Sequence, residues 1–175
     1  MPRKKYPKRI RADVERGFII AYYELVRGLG VMLGLEDGSK DDMVAVAWSP
    51  EIMIGMDFSS YYHFTEGYKP QTRVRHVREK VERLKHFSLP VQHREGKTVE
   101  CLYEVWCFMP PNEYVLQAIG AAEQEGLPVK LVEQEELHRR VRQTAEIVPE
   151  DDDMVEANAF LWSAQLFWEA GAWKR

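Results

Sequence analysis

Apolar residues recur at helical spacing between Thr72 and Phe87, and this repeat is the clearest pattern in the chain. Lys and Arg occupy most of the positions between the apolar ones. Side chains three, four and seven residues apart share one face of a helix, and here they form a single stripe of Val74, Val77, Val81 and Leu84. The pattern predicts an amphipathic helix over about residues 73–86.

A second organised region runs from Arg94 to Pro128. Its first part, from Thr98 to Met109, is rich in β-branched and aromatic residues, which favours a strand over residues 99–108. The continuous apolar run from Val105 to Met109 predicts that both faces are covered there. Two prolines at 110–111 end that strand because they have no N–H to donate. Asn112 is a suitable N-cap for a helix over residues 112–125, which Gly126 and the following proline then terminate.

The remaining elements are predicted from shorter patterns. A strand is expected at Val44–Trp48, and helices at residues 134–147 and 154–170. Residues 18–23 fit either a buried strand or an apolar helix, and residues 129–132 fit a short strand or the entry to the next helix. A short helix is expected at Glu51–Met56, and a delayed strand at Ser88–His93. Together these elements predict an α+β fold, with a small mixed or barrel-like sheet and flanking helices.

Composition and charge divide the chain into three segments. At 175 residues with 45% hydrophobic content, one domain is expected over residues 17–149. A basic arm over residues 1–16 precedes it, and an acidic link with an aromatic helix follows at 150–175. The wide apolar surface of that helix fits either core packing or a homodimer interface. Without a transmembrane window or an apolar leader, the sequence predicts a cytoplasmic protein with no membrane contact and with its two Cys residues as free thiols.

The segment EGKTVECLYEVWCFMPPNEYVLQAIGAAEQEGLP, within residues 94–128, resembles the C-terminal half of gamma-glutamylcyclotransferase-like proteins. The shared features are a Glu-Gly-Lys turn, a strand, a Pro-rich corner, a Tyr-led helix and an ending of the form Gly-Ala-x-Glu-x-Gly-Leu-Pro. The resemblance implies that family's α+β fold. It also implies an enzyme that releases a small molecule by attack of its amine on its own amide carbonyl, without metal or cofactor.

The same resemblance implies a set of site residues. Glu66, in the Glu66-Gly67 pair, would be the general acid/base, and Tyr22 would match the Tyr of the family's anion-binding loop. The substrate-binding residues would be Tyr22, Tyr23, Arg27, Lys69 and Tyr114. The Gly, Ser and Asn that follow the family's Tyr are missing here, so we expect an amine or amide substrate other than glutathione, or no catalysis.

Two other function classes fit the sequence. The basic arm and the 73–86 helix could bind nucleic acid or an acidic partner, with Arg75, Arg78 and Arg83 on phosphates. A restriction-type nuclease fold is the third alternative, but Glu104-Val105-Trp106 lacks the Lys that such a magnesium site would require. His and Cys spacing predicts no zinc site.

Overall fold

A computed structural model describes residues 16–34, 43–59, 68–107 and 110–147 of the chain. Most of the basic arm, Glu66 and the predicted helix at 154–170 lie outside the described residues. The chain divides into two compact units, one formed by residues 1–29 and 138–175 and the other by residues 30–137. The second unit contains all the strands found among the described residues.

A five-stranded mixed sheet, ordered β1-β2-β3-β4-β5, is the framework of residues 30–137. Its strands are β1 Gly30–Leu33, β2 Ala45–Trp48, β3 Ile52–Phe58, β4 Glu100–Trp106 and β5 Val129–Val132. Strand β2 pairs antiparallel with both β1 and β3, whereas β4 pairs parallel with both β3 and β5. The predicted α+β class with a mixed sheet is confirmed, as are the strands expected around residues 44–48 and 99–108.

Four helical segments accompany the sheet in the described ranges. Helix α1 is described over residues 16–21 and continues as a π-helical turn, Tyr22–Val26, so the apolar run at 18–23 is helical. Helix α2 is Pro70–Glu95, α3 is Glu113–Gln124 and α4 is Gln134–Ile147. The predicted cap of α3 is confirmed, since the Asn112 side chain accepts a hydrogen bond of 2.9 Å from Val115 N–H.

The short helix expected at Glu51–Met56 is wrong, because these residues belong to the turn before β3 and to β3 itself. The Ser49 hydroxyl accepts hydrogen bonds from Glu51 N–H and Ile52 N–H, and Ser49 N–H donates to the Ile52 carbonyl at 2.8 Å. The Ser-Pro pair therefore closes a tight β2–β3 hairpin and does not start a helix. Asp57 and Phe58 also lie in β3.

The strand expected at Ser88–His93 is also wrong, because α2 continues through Pro90 to Glu95. Proline in a helix removes the hydrogen bond to the carbonyl four residues earlier, that of His86. His86 and Pro90 are both exposed, so water can solvate that carbonyl. Helix α2 ends at Gly96, whose φ of 67° provides the left-handed cap.

Helices α2 and α3 cover one face of the sheet. The buried stripe of α2, including Val77, Val81 and Leu84, packs with Tyr103 and Val105 of β4. The other face of the central strands is buried as well, because Ile54, Met56 and Trp106 are fully inaccessible to solvent. The expectation that the apolar run from Val105 to Met109 is covered on both faces is therefore confirmed for Val105, Trp106 and Cys107, which are buried, and residues 108–109 lie outside the described residues.

Gly55 and Gly120 provide a matched test of this packing. A methyl group on Gly55 would overlap Met43 Sδ and lie 2.8 Å from Leu84 Cδ2, whereas one on Gly120 of α3 would meet no atom within 4 Å. We expect Gly55→Ala to destabilise the fold by roughly 1–3 kcal/mol through overpacking, and Gly120→Ala to stabilise it by about 0.5–1 kcal/mol through helix propensity. Urea unfolding measures both changes. Equal effects of the two substitutions would contradict the contact between α2 and β3.

Candidate functional site

Asp57 is a fully buried carboxylate at the end of β3, and its two oxygens are satisfied by three different segments. Val44 N–H, just before β2, donates to Oδ1 at 3.0 Å. Tyr103 of β4 donates its hydroxyl to Oδ2 at 2.6 Å, and Lys80 Nζ of α2 lies 3.1 Å from the same oxygen. Sequence reasoning missed this cluster because Lys80 lies 23 positions from Asp57 in the chain and nothing local marks it as a buried residue.

Burial raises the pKa of Asp57 above its usual range, because the charged carboxylate has lost its water. The charge of Lys80 acts in the opposite direction, as do the hydrogen bonds from Tyr103 and Lys80. A buried ion pair of this kind stabilises little in itself, but loss of one partner leaves an uncompensated charge. The cluster therefore fixes α2 on the sheet and leaves no oxygen of Asp57 open to a ligand.

Glu104 of β4 is the second buried carboxylate of the sheet. It accepts a hydrogen bond of 3.3 Å from Trp106 Nε1–H. Asp57 is in register with Val105, so Glu104, one residue earlier, faces the opposite side of the sheet. The two carboxylates cannot share a metal ion, and the described residues contain no cluster of three or more His, Cys, Asp or Glu side chains that could hold one.

Arg73 joins the first turns of α2 and α3. Its guanidinium donates to the Tyr68 carbonyl and lies 4.4 Å from the centre of the Tyr114 ring. Arg73 is buried and Tyr114 half-buried, whereas the neighbouring Lys69 side chain is exposed. Of the sequence-predicted binding residues, Tyr114 therefore contacts this buried cation through its ring, and Lys69 contacts Arg73 through its backbone carbonyl, which accepts from Arg73 N–H at 3.2 Å.

A groove of about 530 Å³ runs between α2 and α3. The apolar residues that line it include Val74, Ala118 and Ala121, and the small side chains of the two alanines leave room between the helices. The polar residues that line it are Gln71, Thr72, Arg75, Arg78, Gln117 and Glu125. Arg75 and Arg78 were both predicted as phosphate contacts, and the structure brings them to this one groove.

The three predicted phosphate-contacting arginines have different partners. Arg75 is 59% exposed and has one long contact, 3.6 Å from Nε to Glu79 Oε1. Arg78 forms a bidentate pair with Glu125, with Nη2–Oε1 at 2.7 Å and Nε–Oε2 at 3.1 Å. Arg83 lies 6.0 Å from the ring centre of Phe87 and lines a second groove of about 390 Å³, which Arg78 also lines. Arg78 therefore shares one groove with Arg75 and the other with Arg83.

Other sequence-predicted site residues belong to the unit formed by residues 1–29 and 138–175. Tyr22 and Tyr23 are buried with their rings 5.1 Å apart, and Arg140 of α4 lies 4.7 Å from the centre of the Tyr22 ring. Arg27 is exposed. The two tyrosines therefore pack inside this unit.

Glu66, the proposed general acid/base, lies outside the described residues, and the acyl-transfer chemistry implied by the family resemblance stays a prediction. Of the two cysteines, both free thiols, Cys107 is fully buried, and burial raises the pKa of its thiol to about 11. A thiol with that pKa stays protonated at neutral pH, so Cys107 is a packing residue and not a nucleophile.

Comparison with protein-family models, with curated proteins and with solved structures finds no match to this chain. Within the described ranges, no helix combines the length and the apolar character needed to span a membrane. Function is therefore inferred from the contacts of the chain's own residues.

Replacing Lys80 tests the Asp57 cluster. Lys80→Met leaves the buried carboxylate without its cation, and we expect a loss of about 3–5 kcal/mol in the free energy of unfolding near pH 7. The pKa of Asp57 should rise further, so the folded chain binds a proton at a pH where the unfolded chain, near its ordinary value of 3.8, does not. The loss should therefore shrink as the pH falls through the folded-state pKa towards 4.

The matched control is the double variant Asp57→Asn with Lys80→Met, which has no buried charge at this position. Its loss of stability relative to wild type should be smaller at pH 7 than that of Lys80→Met, and should not shrink at low pH in the same way. Urea unfolding measured between pH 4 and 8 gives both quantities. A pH-independent deficit for Lys80→Met would contradict the assignment.

Proposed function

We propose that this chain binds nucleic acid, with Arg75 and Arg78 contacting phosphates from the groove between α2 and α3. One observation carries the proposal: two guanidinium groups one helical turn apart line the same groove of about 530 Å³. They belong to a helix that has seven Lys or Arg residues and only three Glu. Phosphate contacts of this kind supply most of the affinity of sequence-independent binding.

The other side chains of the groove suit the same ligand. Gln71 and Gln117 provide amide donors and acceptors, and Thr72 provides a hydroxyl group. Such groups commonly bind phosphate and sugar oxygens, and they position a nucleic acid without reading its sequence. The absence of aromatic side chains among the residues that line the groove favours contact with the backbone over stacking of bases.

The net charge of −4 for the whole chain does not oppose this proposal. Charges are screened over about 8–10 Å at physiological ionic strength, so a ligand responds mainly to the charges nearest to it. At the groove these are Arg75 and Arg78, with Glu79 and Glu125 beside them. The proposal therefore requires that a phosphate compete with two carboxylates, and that binding weaken steeply with salt.

The two buried carboxylates of the sheet give no support to hydrolysis of the bound strand. Asp57 and Glu104 are buried and lie on opposite faces of the sheet. A phosphodiester that reached the groove would meet neither of them, because neither residue lines it. The proposal is therefore binding alone.

Acyl transfer is a second candidate, favoured by the contact of Arg73 with the Tyr114 ring. A cation beside this Tyr and near the exposed Lys69 could hold the carboxylate of a small amine or amide substrate in place of the missing loop. Turnover of γ-glutamyl amines should then fall strongly in Glu66→Gln. Equal turnover by wild type and this variant would exclude Glu66 as the proton shuttle.

Neutralising the groove arginines tests the binding proposal. Arg75→Gln and Arg78→Gln should each weaken binding of a labelled oligonucleotide about threefold to tenfold at low salt, because each removes one phosphate contact. Each should also reduce the slope of log affinity against log salt by about one. Fluorescence anisotropy with single-stranded and duplex DNA and RNA would measure both effects.

Arg94→Gln is the matched control. It removes the same charge from the same helix, and Arg94 also contacts a single Glu, but it lies about 28 Å along α2 from Arg75. Its affinity and salt slope should stay close to wild type. Equal weakening by Arg75→Gln and Arg94→Gln would mean that only the charge of the helix matters, and absence of salt-sensitive binding by wild type would dismiss the proposal.

A further inference from the structure

Arg78 and Glu125, which both line the α2–α3 groove, form a bidentate ion pair with each other. Arg78 Nη2 lies 2.7 Å and 2.9 Å from the two carboxylate oxygens of Glu125, and Nε donates to Oε2 at 3.1 Å. Nε and Nη2 of Arg78 are thus engaged by a carboxylate that lines the same groove. The partners are 47 positions apart in the chain, so the contact belongs to the folded state.

The backbone holds Glu125 in place at the end of α3. Its N–H donates to the Ala121 carbonyl at 3.1 Å, and Gly126 follows with a φ of 75°, a conformation that glycine adopts without strain. The backbone of Glu125 is therefore held at a fixed position. The side chain can turn to solvent by rotation about its own bonds, without any change in α3.

A carboxylate and a phosphate present the same kind of two-oxygen edge to a guanidinium group. The existing pair is open to water, since the Arg78 side chain is 46% exposed and that of Glu125 is 39% exposed. Ion pairs at this exposure are weak because water competes for both partners. A phosphodiester of a nucleic-acid backbone carries one negative charge, as the Glu125 carboxylate does, and can therefore take its place at Arg78 at little cost to the fold.

We propose that Glu125 is an intramolecular competitor for the phosphate site, so that a nucleic-acid strand reaches Arg78 only by displacing this carboxylate. The inference rests on the proposed function and adds its regulation. Arg75, with only a long contact to Glu79, is the phosphate site that is open first. Arg78 becomes a second phosphate site when the Glu125 carboxylate turns away. The affinity of the groove for a nucleic-acid strand is therefore lower than its two arginines would give without Glu125.

Glu125→Gln removes the competing charge and keeps the shape of the side chain. Glu123→Gln is the matched control, because Glu123 is an exposed residue of the same helix, the same charge is lost, and Glu123 does not line the groove. Both substitutions are made in the wild-type chain and in Arg78→Gln. Affinity for the labelled oligonucleotides is then measured by fluorescence anisotropy across a range of salt concentrations, with circular-dichroism melting of every variant as a check on folding.

Glu125→Gln should tighten binding about threefold to tenfold in the wild-type chain, and Glu123→Gln by clearly less. The gain from Glu125→Gln should fall in Arg78→Gln to that of Glu123→Gln, because the competitor then has no site to occupy and only the general loss of charge remains. A gain that keeps its full size in Arg78→Gln, or equal gains from the two Glu substitutions in the wild-type chain, would overturn the competition while leaving nucleic-acid binding intact. Absence of binding by every protein at low salt would overturn the proposed function and the competition with it.

Discussion

A buried carboxylate can persist only if each of its oxygens is satisfied, and that requirement at Asp57 ties β2, β3, β4 and α2 to one another. The bond to Val44 N–H sets the start of β2 against β3, and the bond from Tyr103 joins β3 to its parallel neighbour. The ion pair with Lys80 then determines how α2 is rotated about its own axis. One group thus links the antiparallel and parallel parts of the sheet to the helix that covers them.

The rotation of α2 decides which of its charges meet solvent. With Lys80 turned towards β3, and Val77 and Leu84 on the same buried side, the helical repeat leaves Arg75 and Arg78 exposed. Small residues on α3 keep the second helix from filling the space beside them. The groove is therefore a consequence of the core, and the same ion pair that orients α2 on the sheet places the proposed phosphate site in solvent.

The fold was predictable where the local signals agreed with the tertiary structure. The residues of α2 and α3 follow one clear apolar period, and Asn112 with Gly126 marks the ends of α3 as local chemistry requires. The errors came from short segments with two local readings. After Ser49 the chain could turn or start a helix, because a hydroxyl that accepts hydrogen bonds from the N–H groups two and three residues later fits both a turn and a helix N-cap. Pro90 suggested a break, which the long helix instead tolerates on its exposed side.

The candidate site was predictable in part. Helical spacing alone placed Arg75 and Arg78 on one basic helix, and both line the groove. Their partners were not predictable, because Glu125 meets Arg78 across 47 positions and a lone Glu near a helix end has no local mark of that contact. The buried role of Asp57 was hidden for the same reason, since its cation lies on an element that reads as solvated.

The central claim is that a nucleic-acid backbone contacts α2 through Arg75 and Arg78. The most direct measurement is heteronuclear NMR of the arginine Nε–H groups during titration with an oligonucleotide. We expect the Nε–H signals of Arg75 and Arg78 to shift together and to saturate at the same concentration, with the Arg94 signal nearly unchanged as an internal reference. Binding that leaves the signals of Arg75 and Arg78 in place, or a titration that shifts no arginine, would contradict the account.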